Sequence, residues 1–144
     1  PRKANRLSFY DYSQNAYYFL TICLESKDFD FGKVINEQMF LNYFGKFVNE
    51  RWREIPKHYN NIRLDSWVIM PNHIHGLLEI KGTEPVPVLT RKSSCGLISN
   101  VIKSFKGICT KEFYKNNYFD FKWQRSFNDE IIRKPEDLFI VRIS

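Results

Sequence analysis

The stretch Trp67-Val68-Ile69-Met70-Pro71-Asn72-His73-Ile74-His75-Gly76 decides how this chain is read. Upstream of its turn, Ile62, Leu64, Ser66, Val68 and Met70 alternate along one face, which predicts a strand from Ile62 to Met70. Pro71-Asn72 is a turn signal, and His73 to Ile80 reads as a second strand, so the two form a hairpin. Side chains two apart on a strand share a face. His73 and His75 therefore stand side by side, while Ile74 points the other way, into the core. Two imidazoles on one face make a partial site for a divalent cation. They leave coordination positions open, which a catalytic metal needs in order to hold a substrate oxygen. The competing reading is a hydrogen-bonded histidine pair that serves only the polarity of the surface. Histidine usage favours the first reading, because only His58 lies outside the motif.

Working outward, Tyr17 to Cys23 is aromatic and β-branched and reads as a strand. Phe29 to Asn36 reads as a turn or edge segment around Gly32. Leu41, Phe44, Phe47, Val48, Trp52 and Ile55 recur at near-helical spacing, which predicts a helix over Phe40 to Ile55, ending before Pro56. Gly82 to Ser94 carries two prolines without a period and reads as a loop. A second helix follows from Leu97, Ile98, Val101, Ile102, Phe105, Ile108, Cys109 and Phe113, with Lys103, Lys106 and Lys111 on its polar side. Asn116 to Asp120 is a loop, Trp123 to Ile132 a last strand, and Pro135 to Ser144 the start of a further helix. The first six elements, in the order strand, helix, strand, strand, helix, strand, define an α+β class. They match the ferredoxin-like split βαβ sandwich, an antiparallel sheet backed by two helices, here with a C-terminal helix added.

The 144 residues suit one domain, 1–144. A formal charge of +6 with 17% aromatic residues excludes a disordered basic tail and suggests a polyanion partner. Solubility alone would account for the same surplus. No apolar run is long enough for a membrane span, so no membrane partner is expected. Pro1 to Ser8 is basic and polar and does not read as a signal segment. Cys23, Cys95 and Cys109 are odd in number and lack paired spacing, which argues against a disulfide framework and for the cytoplasm.

Met70-Pro71-Asn72-His73-Ile74-His75-Gly76 resembles the His-hydrophobic-His motif of the single-tyrosine HUH transposases. The REP-associated tyrosine transposases are the nearer likeness, ahead of the insertion-sequence transposases. Other segments match in order: Arg6-Leu7 with Tyr10-Asp11-Tyr12, Tyr18 to Cys23, Phe31-Gly32, and Trp52 to Pro56. Ile102 to Lys106, Trp123 to Phe127 and Ile131-Ile132-Arg133 follow. The resemblance implies cleavage and rejoining of single-stranded DNA in transposition. It makes His73 and His75 the ligands of Mg²⁺ or Mn²⁺, with the metal polarising the scissile phosphate. A tyrosine on the C-terminal helix would attack phosphorus, giving a 5′-phosphotyrosine and a free 3′-OH. A phenol with pKa near ~10 needs that help to act as a nucleophile.

The resemblance further implies single-stranded or hairpin DNA as the partner. Phosphate contacts fall to Arg6, Lys103, Lys106, Arg125 and Arg133, and base stacking to Tyr10, Tyr12 and Trp123. Asn72 and Gln124 lie in the two most specific matching segments and join that surface. Insertion-sequence relatives are dimers and REP-associated ones act as monomers, so a homodimer stays open. The family tyrosine is expected at or just beyond Ser144, and no tyrosine follows Tyr118. The C-terminal helix is therefore expected to be incomplete. The alternative is a catalytically inactive module of the same fold that binds hairpin or single-stranded DNA.

Overall fold

Strand β1 (Ala16–Cys23) shows how local pattern builds this fold: its residues alternate strictly between buried and half-buried. Ala16, Tyr18, Leu20 and Ile22 enter the core, and Tyr17, Phe19, Thr21 and Cys23 face the other side of the sheet. The computed structural model describes residues 16–81 and 92–132. After β1 come β2 (Gly32–Ile35), β3 (Gln38–Leu41), α1 (Tyr43–Arg53), α2 (Ile55–His58) and β4 (Ile62–Ile69). Then follow β5 (His73–Ile80), α3 (Lys92–Lys115) and β6 (Asn128–Ile132).

The main sheet has the order β4-β5-β1-β6, antiparallel at every step. β5 lies between β1 and β4, which makes the first crossover a split βαβ unit, as the element order implies. Helices α1 and α3 pack on the sheet face that carries Ile74. Trp52 meets Phe105 edge-on, with ring centroids 5.4 Å apart, and Val48, Ile98, Ile102 and Phe113 join the same buried cluster. Gly76 is small for this reason: a Cβ there would sit 2.3 Å from the Trp52 ring. Among the described residues, no helix is long and apolar enough to cross a membrane.

Four expectations are corrected. The first helix begins at Tyr43, because Gln38–Leu41 pairs with β2 as a separate hairpin. That hairpin turns at Asn36 and Glu37, both with positive φ (53° and 66°), as tight hairpin turns require. Asn42 then caps α1, its side-chain oxygen accepting from Gly45 N at 2.9 Å. Pro56 does not stop the helical run but sits in the first turn of α2. In β4 the register shifts between Leu64 and Ser66, so the alternation changes parity. Ile69 and Trp67 face the core, and Val68, expected to share a face with the buried Ile62, is 44% exposed. The last strand starts at Asn128 rather than Trp123. Residue 123 makes only an isolated bridge to Leu24, because its ring is anchored against Phe31, Phe105 and Phe121. The helix expected from Pro135 lies outside the described residues.

Candidate functional site

β5 is a central strand, so its N-terminal residues sit between β4 and β1. Ile74 is fully buried, which turns His73 and His75 to the opposite face, as the alternation predicts. Their ring centroids are 4.5 Å apart at 73°. Each ring is fixed through Nδ1. Asn72 Oδ1 lies 2.7 Å from His73 Nδ1, and an amide oxygen only accepts, so that nitrogen carries the proton. Thr21 Oγ1 lies 3.1 Å from His75 Nδ1, across the β1–β5 ladder in which Thr21 is the register partner of His75. Phe19 stacks on the His75 ring at 5.3 Å. Burial holds both imidazoles below their ordinary pKa of 6.5, and His73 lowers His75 further.

Both rings are therefore neutral at pH 7, with Nδ1 engaged; at His73 the Nε2 lone pair is left free, the form in which imidazole ligates a metal. This donor set fits a divalent cation held by two nitrogens. Among the described residues, no third His, Cys, Asp or Glu completes a cluster, so the remaining positions would go to water or substrate oxygen. Thr21 and Phe19 were not foreseen as parts of the site. Only the register places them there, and no sequence signal sets a register between strands 50 residues apart.

The expected DNA contacts divide into three groups. Asn72 is exposed and touches His73. Trp123 is half-buried in the aromatic core, and the chain beside it runs along the end of β1, with Gln124 N donating to Cys23 O at 2.9 Å. Leu24 faces the core opposite Trp123, so Gln124 and Cys23 share the histidine face. Gln124 is two strand spacings from His73, roughly 10 Å. Lys106 reaches this edge, donating from Nζ to Gln124 O at 2.8 Å and lying 6.0 Å from the Phe127 ring. Burial lowers its pKa. Arg125 is exposed in the same loop. Lys103 is exposed on the outer side of α3, on the other sheet face, and is not brought to the pair. Arg6, Tyr10, Tyr12 and Arg133 lie outside the described residues.

Farther along β5, the same face becomes closed. Leu77 and Glu79 are 1% and 3% exposed, and Arg63 Nε donates to Glu79 Oε1 at 2.6 Å. The half-buried, ligand-accessible part of the face is thus its His73 end.

The fold is shared with solved structures. A REP-associated tyrosine transposase bound to a REP hairpin superposes with a TM-score of 0.56 at 14% identity, over 92% of this chain. The chain spans 64% of that protein's length. A Deinococcus radiodurans protein named as a candidate transposase gives a TM-score of 0.51, also at 14% identity, over 88% of this chain and 86% of its own. No family model matches the sequence. An uncharacterized protein of Haemophilus influenzae is 37% identical over 142 residues, covering 92% of this chain and 79% of its own length. At that identity and coverage, this chain and the Haemophilus influenzae protein belong to one family.

Proposed function

We propose that this domain binds hairpin or single-stranded DNA and supports metal-dependent nicking and rejoining of one strand, as a transposase of HUH type. One observation carries the reading: two imidazoles share the open end of a sheet face, with His73 presenting a free Nε2, on a fold that a REP-associated transposase also adopts. His73 and His75 hold the cation. Two nitrogen donors suit Mn²⁺ better than the harder Mg²⁺. When bound, the ion would draw charge from a phosphate oxygen and lower the barrier to attack at phosphorus.

The remaining work falls to the chain. Asn72 and Thr21 fix the imidazole planes, so the ligands need no reorganisation on binding. Lys106, Gln124 and Arg125 line the edge beside Cys23, where a phosphate backbone could run toward the pair. A tyrosine oxygen attacks phosphorus as the 3′-oxygen leaves, and the 5′-phosphotyrosine conserves the bond energy for rejoining. By the family resemblance that tyrosine belongs to the helix after Arg133, at or past Ser144. A second reading keeps the binding surface without the cleavage, and it is favoured by the absence, among the described residues, of a third His, Cys, Asp or Glu that would complete a metal cluster.

The test uses the full-length gene product and labelled hairpin single-stranded DNA, with Mn²⁺, Mg²⁺ or EDTA. Binding is expected throughout, and a covalent protein–DNA adduct only with metal. His73→Ala should abolish the adduct and keep most of the DNA affinity. An adduct that forms in EDTA overturns the role of the histidines. Binding with no adduct under any condition selects the second reading.

A further inference from the structure

On the helical side of the sheet, away from the histidines, α1–α2 and α3 leave a groove of about 270 Å³. One wall is a helical stripe containing Arg51, Ile55 and His58, and the other contains Ser104, Phe105 and Ile108. Ile108 belongs to the apolar pattern of α3, yet it is 44% exposed because nothing fills the space beside it. Arg51 is under-paired. Its Nε is buried and has no acceptor among the described residues. Its nearest carboxylate oxygen, on Glu54, is 4.0 Å away, beyond a hydrogen bond. Glu54 is already shared with Lys57, at 3.4 Å. The guanidinium otherwise rests 5.4 Å from the Phe47 ring, which offers it no acceptor oxygen.

We propose that this groove is a binding site for a small organic anion with a flat apolar body, such as a nucleoside monophosphate. The anionic group meets the Arg51 guanidinium, and the flat body lies against Phe105 and Ile108. A half-buried guanidinium whose Nε has no acceptor and whose ion pair with Glu54 is long gains from a charge-assisted bond, and an exposed apolar wall gains from being covered. Ser104 lines the groove and offers a hydroxyl. An inorganic anion would use only the first feature and an uncharged nucleoside only the second, so each alone should bind weakly.

The test titrates the protein with adenosine 5′-monophosphate, inorganic phosphate and adenosine, read by amide chemical shifts. Saturable binding of the monophosphate is expected, with shifts on α1–α2 and α3, and at least about tenfold tighter than either fragment. Arg51→Gln should weaken it by about tenfold or more. Ser104→Trp, which fills the groove from an exposed helix position, should abolish it. Circular dichroism and hairpin-DNA binding serve as controls that both variants fold. The inference fails if no saturable binding occurs, if Arg51→Gln binds equally well, or if the shifts cluster at His73 and His75. The groove and the histidines lie on opposite sheet faces, so failure here leaves the nicking proposal standing.

Discussion

At the scale of single residues, the site depends on two side chains that position the imidazoles. Thr21 and Asn72 hold the Nδ1 atoms of His75 and His73. Thr21→Val keeps shape and removes the hydroxyl. It should lower Mn²⁺ affinity by about ten- to a hundredfold in isothermal titration, with little change in thermal midpoint. The histidines also make stability depend on pH. Both have pKa values below 6.5 in the folded protein, so the unfolded chain binds more protons in that window. Stability conferred by the neutral rings is complete above pH 6.5 and is lost as pH falls through the lowered folded values. Urea midpoints should therefore drop between about pH 7 and pH 5. The double variant His73→Gln, His75→Gln should flatten that drop; an unchanged slope would mean that other groups set it.

At the scale of elements, the contact between β5 and α1 is the tightest constraint on the site. Gly76→Ala would place a methyl carbon 2.3 Å from the fully buried Trp52 ring, which cannot move away without disturbing Phe105. The expected cost is ~1–3 kcal/mol in urea unfolding, with weaker metal binding because β5 carries the histidines. Gly107→Ala in α3 is the control. Its Cβ meets nothing within 4 Å, so helix propensity should stabilise the protein by ~0.5–1 kcal/mol. The same elements show what could be read in advance. β1 was located by its aromatic and β-branched composition, β5 by the turn signal before it, and α3 by its helical period. β3 was hidden because Leu41 and Phe44 suit a helix as well as a strand joined to a helix. The β4 register shift was hidden because a bulge depends on the partner strand, and the local alternation of Ile62 to Met70 argues the wrong face beyond it. The histidine pair was legible from strand parity, but its supports were not, since Thr21 is brought in by register.

At the scale of the whole molecule, the sheet separates two chemistries. One face is sealed by α1 and α3, and the other presents the histidines at one end. The net charge of +6 favours a polyanion, but where that charge lies decides whether it serves this face. Lys103 and Lys106 look equivalent in sequence, one turn apart on the same helix. Of the two, Lys106 reaches Gln124 O, beside Cys23 at the end of β1, while Lys103 points outward from the helical side. Neutralising each in turn therefore separates surface charge from site charge at equal cost in net charge. Lys106→Gln should weaken hairpin-DNA binding several-fold and lower the slope of log affinity against log salt by about one, the signature of one lost phosphate contact. Lys103→Gln should shift affinity by less than about twofold and leave the slope near its original value. Equal losses from both would mean that DNA follows the helical face rather than the histidine face. The track proposed for the strand would then be wrong, whatever the role of the histidines.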